Sequence, residues 1–308
     1  MISPCEPLNI PLNKFCNIRI KRDDLFPSTG GGNKSRKIHY IVSDALAKGY
    51  NAIVTNGGIN SNHARATALA CAQNKIKCSL VLHSDKPTTS FDLSGNLLLM
   101  KMAGADIQFC KLSSLSLTMD QEVTKLKEQG YKPLYLWGGG HCVQGSLAYY
   151  YAAKETQAQC AEWIPDYVIH ASGTGTTQAG LIAGYANYPT KIIGISVARE
   201  KNRGTNIIRQ SLIELGSFLN TDFSNSEVDF RDDWLMGGYE QTSTQLLEVI
   251  NKTALTGLIL DPTYTGKAYL AMIELIKKQE LPIQSKILFW HTGGLLNLLT
   301  SPDYLTKI

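Results

Sequence analysis

Apolar positions along the chain follow two alternating periods. Short runs of β-branched and other apolar residues, bounded by Gly, Asn, Asp or Pro, predict strands. Between them, apolar residues recurring every three or four positions predict helices. From about residue 34 the order is helix 34–48, strand 51–55, helix 60–73, strand 78–83, helix 91–103, strand 106–110, helix 118–129 and strand 133–137. A second block follows, with helix 145–155, strand 167–171, helix 176–186, strand 191–197 and helix 206–215. Beyond it the pattern gives helix 242–253, strand 257–260, helix 265–278 and strand 286–290, while 217–238 is irregular and rich in Asn, Asp, Ser and Gly. Strict alternation of strand and helix predicts an α/β fold of mainly parallel, twisted sheets with helices on both faces, joined by right-handed crossovers. No internal repeat, coiled coil or low-complexity tract interrupts it.

In such sheets ligands bind beyond the carboxyl ends of the strands, where loops enter helix N-termini. Four glycine-bearing segments occupy these places: Asn56-Gly-Gly-Ile-Asn-Ser-Asn62, Gly138-Gly-Gly140, Ser172-Gly-Thr-Gly-Thr-Thr177 and His291-Thr-Gly-Gly294. A fifth, Thr29-Gly-Gly-Gly-Asn-Lys-Ser-Arg-Lys37, ends in a lysine and invites comparison with a nucleotide P-loop. The comparison fails, because Asn33 precedes Lys34 where glycine is required and Arg22-Asp-Asp-Leu-Phe-Pro27 is no buried strand. Ser172–Thr177 suits an anion better. Gly173 and Gly175 let the backbone approach, successive N–H groups converge at a helix N-terminus, and Ser172, Thr174, Thr176 and Thr177 add hydroxyls. A dinucleotide fingerprint is the rival reading, with Glu200 as ribose-binding acid, although Gln178 stands where the third glycine belongs. An ordinary Gly-Thr turn is the plain alternative.

Composition narrows the field. A chain of 308 residues, 44% hydrophobic, can bury a sizeable core in one large or two smaller domains. Its net charge of +4 is scattered among acids, which argues against nucleic acid as a partner. No apolar run nears the ~20 residues of a membrane span, and the first residues do not read as a secretory signal. The seven cysteines form no C-x-x-C pair, which argues against a disulfide framework and a structural zinc site and fits a reducing cytoplasm.

With Asn33 as N-cap, Lys34 falls in the first turn of a helix. The positive end of the helix dipole, with Arg36 and Lys37 nearby, then favours a neutral amine there. A neutral amine is what a Schiff-base lysine supplies, and an idle surface lysine is the alternative. Six stretches in order settle the weighting: Arg22-Asp-Asp-Leu25, Gly31-Gly-Asn-Lys-Ser-Arg-Lys37, Gly57-Gly-Ile-Asn-Ser-Asn-His-Ala-Arg65, Ser172-Gly-Thr-Gly-Thr176, Asp261-Pro-Thr-Tyr-Thr-Gly-Lys267 and His291-Thr-Gly-Gly294. Together they resemble the fold-type II pyridoxal phosphate enzymes, and more narrowly the family of 1-aminocyclopropane-1-carboxylate (ACC) deaminases and D-cysteine desulfhydrases. The resemblance runs over most of the chain. It implies two three-layer α/β domains, a large one from 1–46 and 151–308 and a small one from 47–150. It also implies pyridoxal 5′-phosphate linked to Lys34, with its phosphate held by Gly173, Thr174, Gly175, Thr176 and Thr177. Ser61, Asn62 and His63 match the loop that receives the substrate carboxylate, with Ser61 in a catalytic role and Asn62 also against the cofactor; relatives are commonly homodimers.

The same resemblance bears on the reaction. ACC deaminases of the family carry a glutamate beside the pyridine nitrogen, in the context Tyr-Glu-Gly-Lys. Here the context is Tyr264-Thr-Gly-Lys267, so Thr265 is expected to face that nitrogen with a hydroxyl. A weaker electron sink suits loss of an α-proton and a good leaving group, which favours β-elimination of a small amino acid such as D-cysteine over ring opening of ACC. Tyr264 and Tyr239 match pocket tyrosines, for which plain packing is the alternative. Trp137, in place of a small strand end, and the Gly237-Gly-Tyr-Glu240 form around Tyr239 depart from the family and could reshape the pocket. A non-catalytic binding protein and a nicotinamide-dependent enzyme remain as readings from other classes.

Overall fold

The computed structural model describes residues 1–84 and 93–299. Among the described residues ten strands form two separate sheets. The larger uses β1 (Cys5–Pro7), β2 (Asn17–Arg22), β7 (Tyr167–Ser172), β8 (Lys191–Ser196), β9 (Asp229–Arg231) and β10 (Lys286–His291), in the order β1-β2-β10-β7-β8-β9. The smaller uses β3 (Ala52–Gly58), β4 (Lys77–His83), β5 (Asp106–Cys110) and β6 (Pro133–Leu136), in the order β5-β4-β3-β6. Every pairing is parallel except that of β1 with β2. The helices are α1 (Gly32–Ala47), α2 (Asn62–Gln73), α3 (Gly95–Met102), α4 (Leu115–Glu128), α5 (Val143–Gln159), α6 (Thr176–Gly184), α7 (Lys201–Leu219), α8 (Thr244–Ala254), α9 (Thr265–Lys277) and α10 (Leu295–Leu298).

Strand β10 shows why the larger sheet has a helical layer on each face. Its residues are apolar in succession, and alternate side chains serve opposite cores. Ile287 and Phe289 join Leu270, Leu275 and Ile250 from α9 and α8. Leu288 and Trp290 join Tyr149, Ile182 and Ile208 from α5, α6 and α7. The smaller sheet repeats this, with Ile53 packed among residues of α1 and α2 and Val54 against α4. Helix α1 thus adds Ile38, Ile41 and Val42 to the core of the smaller sheet although it leaves the larger one.

The expected α/β class and most expected elements are present. Strand β2 is absent from the expected elements, although Ile18 and Ile20 alternate with Arg19 and Lys21 in the two-residue period of a strand, because it has no longer apolar run. Its Lys21 is nonetheless buried, bonded to Glu155, Gln159 and the Ser3 carbonyl. The expected strand at 257–260 forms no ladder. Leu258 and Leu260 bury themselves by packing, and the Ile259 carbonyl bonds His291 instead. The expected helix over 91–103 begins at Gly95, residues 91 and 92 lying outside those described. No helix among the described residues is long and apolar enough to cross a membrane.

A buried charge cluster sets the pose of α1. Arg36 pairs with Asp23 and Glu155, each at 2.7 Å, and Lys21 pairs with Glu155 as well. Asp23 also accepts from Tyr149 Oη at 2.6 Å, Trp290 Nε1 at 2.8 Å and Ser3 Oγ at 2.7 Å. These bonds tie α1 to α5 and to two central strands. A buried pair of this kind adds little net stability over apolar packing, but breaking one side of it is costly, so it fixes geometry.

Candidate active site

The loops leaving β2, β3, β6, β7 and β10 at their carboxyl ends meet between the two sheets. Helix α1 begins at Gly32, so Gly31 and not Asn33 is its N-cap, but Lys34 still lies in the first turn. Its Nζ points into a pocket bounded by Asn62, the 173–177 loop, Tyr264 and the 292–294 loop, and donates to the Gly139 carbonyl at 3.2 Å. A cleft of about 290 Å³ adjoins the other side of the lysine. Burial lowers the Lys34 pKa from 10.5 to about 8, and the nearby charge of Arg199 pushes the same way. The expectation that Arg36 would act on it fails, because that guanidinium is held by Asp23 and Glu155 within the fold.

The 173–177 loop has the form of an anion site. Gly175 is left-handed, with φ of 89°, and α6 opens at Thr176, so its first N–H groups face outward without helical partners. Ser172 Oγ and Thr174 Oγ1 are buried with no hydrogen-bond partner, and of the two Thr174 lines the pocket, where its hydroxyl is a donor for a ligand. Thr176 Oγ1 instead receives Lys37 Nζ at 2.7 Å; Thr177 is buried and lines the pocket. Lys37 is fully enclosed, and burial followed by the neighbouring Lys34 charge drives its pKa well down. Arg199 donates to the Gly173 carbonyl. Three basic side chains therefore converge on neutral oxygens, and burial disfavours their charged forms, which is the electrostatic setting of a site completed by an anion. Gly139 presses on this loop so closely that a Cβ there would stand 2.5 Å from Thr174 Cγ2.

The other expected residues divide. Asn62 lines the pocket, and its Oδ1 accepts from Asn96 at 3.0 Å. Ser61 is the N-cap of α2, its Oγ accepting from Ala64 N at 3.2 Å. His63 turns into the fold: Thr55 Oγ1 donates to the Leu136 carbonyl and so must accept from His63 Nε2 at 2.9 Å. Burial, with the charges of Lys34 and Lys37, lowers its pKa to about 3, so the ring is neutral. Tyr264 lines the pocket and shares a 2.6 Å hydrogen bond with Tyr239, whose segment is anchored by Lys267 Nζ on the Leu235 and Gly238 carbonyls. Trp137 packs edge-on against Tyr135, is 45% exposed and is not among the residues that line the pocket.

Thr265 does not face the pocket. It is buried at the start of α9, where its hydroxyl donates to Asp261 Oδ1 at 2.8 Å and accepts from Asp261 N at 3.0 Å. Thr292, just beyond β10, is a hydroxyl-bearing residue that does line the pocket. In the sequence its segment carries no assigned role, Lys37 reads only as a neighbouring charge, and Arg199, three residues beyond the Ser196 end of β8, gives no signal.

A buried lysine whose pKa is lowered to about 8, beside an anion cradle, suits a phosphorylated aldehyde, and the comparisons agree. The profile of a family described as pyridoxal-phosphate dependent enzyme matches residues 3–293. A D-cysteine desulfhydrase of Salmonella choleraesuis strain SC-B67 is 33% identical over 285 residues, covering 90% of this chain and 86% of the relative. The crystal structure of an ACC deaminase homologue superposes with a TM-score of 0.89 at 33% identity, covering 100% of this chain and 94% of that one. A hydrogen sulfide-producing enzyme from Fusobacterium nucleatum, at 17% identity and a TM-score of 0.67 over 94% of each chain, shares the fold. The chain belongs to the pyridoxal-phosphate-dependent enzyme family.

Proposed function

We propose that this enzyme eliminates sulfide from D-cysteine, giving pyruvate and ammonia. The observation that carries the reading is the similarity to a D-cysteine desulfhydrase along 90% of the chain, in a site whose pocket lysine has its pKa lowered to about 8. The cofactor supplies a carbonyl to join the amino group and a conjugated ring to accept the electrons released with the α-proton. Lys34 is the group assigned to hold it and to move that proton at Nζ. Gly173 to Thr177 hold the phosphate with backbone N–H groups, aided by the free hydroxyl of Thr174, with Lys37 bracing Thr176 Oγ1. Thr292 is the hydroxyl assigned to the cofactor ring. Ser61 and Asn62, at the start of α2, receive the substrate carboxylate, while Tyr264, braced by Tyr239, closes the reacting side.

His63 acts in this scheme from behind, holding α2 against β3, and Thr265 by fixing the turn that presents Tyr264. Residues 47–150 serve as the smaller domain against 1–46 and 151–308, in a cytoplasmic homodimer whose size sedimentation would test. The central assay follows sulfide and pyruvate release from D-cysteine, L-cysteine and ACC by the holoenzyme. Rapid turnover of D-cysteine is expected. A second reading, ring opening of ACC to 2-oxobutanoate and ammonia, is favoured by the likeness to the ACC deaminase homologue. Efficient 2-oxobutanoate formation with little action on D-cysteine would select it and overturn the first.

A further inference from the structure

Arg65 stands one turn into α2, is 3% exposed, and lines the cleft beside Lys34. Its guanidinium donates from Nη1 to the Gly30 carbonyl at 3.0 Å and from Nη2 to the Gly31 carbonyl at 3.3 Å. Nη2 also lies 3.5 Å from the Asn62 carbonyl, and Nε is buried without a partner. All these acceptors are neutral backbone oxygens. Burying a guanidinium on such partners is unfavourable, and burial lowers its pKa to about 10. What it holds explains the arrangement. Thr29, Gly30, Gly31 and Gly32 are all left-handed, with φ of 44°, 80°, 70° and 87°. A glycine run has little conformational preference of its own, yet this one delivers Lys34 to the pocket.

We infer that Arg65 is a positioning residue: its planar fork clamps the glycine loop that carries Lys34 to the start of α2, and so sets the reactive amine against the loop that receives the substrate carboxylate. The inference rests on the roles proposed above for Lys34 and Asn62. A lysine at 65 would keep the charge but not the two-pronged grip on adjacent carbonyls. An ångström of slack between amine and substrate is enough to slow turnover by about a hundredfold.

The test uses holoenzyme and apoenzyme of Arg65→Lys, Arg65→Gln and Gly30→Ala. The last attacks the same contact from the loop, because a Cβ at Gly30 would lie 2.8 Å from Arg65 Nη1 at a φ of 80°; it decides the matter if Arg65→Gln does not fold. Two readouts are followed: kcat and KM for D-cysteine, and the rate and pH midpoint with which the apoenzyme captures added pyridoxal phosphate in the lysine-linked, coloured form. Kcat is expected to fall by about ten- to a hundredfold. Capture should slow with a shifted pH midpoint, and Arg65→Lys should not rescue either readout. Wild-type kcat, capture rate and pH midpoint in Arg65→Lys and Gly30→Ala would overturn the clamp while leaving the proposed reaction standing. Slowed capture in the variants of a protein that releases nothing from D-cysteine would uphold the clamp and sink that reaction.

Discussion

Replacing Thr265 with valine separates two roles for one hydroxyl. The side chain keeps its shape and loses an oxygen that bonds Asp261 twice, donating to Oδ1 at 2.8 Å and accepting from the backbone N at 3.0 Å. Asp261 is buried, so desolvation raises its pKa, and its carboxylate depends on the N–H groups of Thr263, Tyr264 and Thr265 and on this hydroxyl. Losing a hydrogen bond to a charged group costs about 1.5–3 kcal/mol, and stranding the Asp261 N–H about 1–3 kcal/mol more. The added apolar group recovers about 0.8 kcal/mol. The net loss is about 3 kcal/mol, a large part of a domain's stability of ~5–15 kcal/mol. Urea unfolding of the apoprotein, followed by circular dichroism, should show a clearly lower midpoint for Thr265→Val and little change for Thr265→Ser. An apoprotein of wild-type stability whose bound cofactor nonetheless absorbs at a different wavelength would refute the reasoning, because the hydroxyl would then serve the cofactor and not Asp261. Thr265→Glu should be worse than valine, since it sets a second carboxylate beside a buried one.

Two further outcomes are expected. At neutral pH the Lys34→Met apoprotein should be more stable than the wild type, because the native fold disfavours the charged amine. Between about 8 and the ordinary 10.5 the unfolded chain binds the extra proton, so wild-type stability gains on the variant as pH rises through that window; melting temperatures with a constant gap would contradict the lowered pKa. Gly175→Val should weaken cofactor retention at least tenfold, since φ of 89° strains any side chain and a Cβ would sit 3.1 Å from Ile208 and 3.2 Å from Ile207. Unchanged affinity in equilibrium dialysis of the folded variant would place the phosphate elsewhere.

The parts of this protein that were legible in the sequence are those where one residue type answers one local need. The parallel architecture follows from alternating apolar runs, and the glycines of 173–177 announce a backbone that must come close to something. What stayed hidden depends on partners distant in sequence. Lys21 and Arg36 look like surface cations until Glu155 reaches them from a helix 134 and 119 residues away. Arg199 gives no local sign of reaching the Gly173 carbonyl. Thr265 shows the limit most sharply, because the motif around it is right and the direction of its side chain is not. In Asp261-Pro-Thr-Tyr-Thr265 the nearer demand on the hydroxyl is local: an aspartate four residues back caps the same helix and takes the proton first. The residue that differs from the family's glutamate therefore reports on how the α9 turn is held, and through it on Tyr264, before it reports on the electronics of the cofactor. Reaction choice in this chain must then be sought in what lines the pocket, Tyr264, Thr292 and Asn62, and not in the charge of position 265 alone.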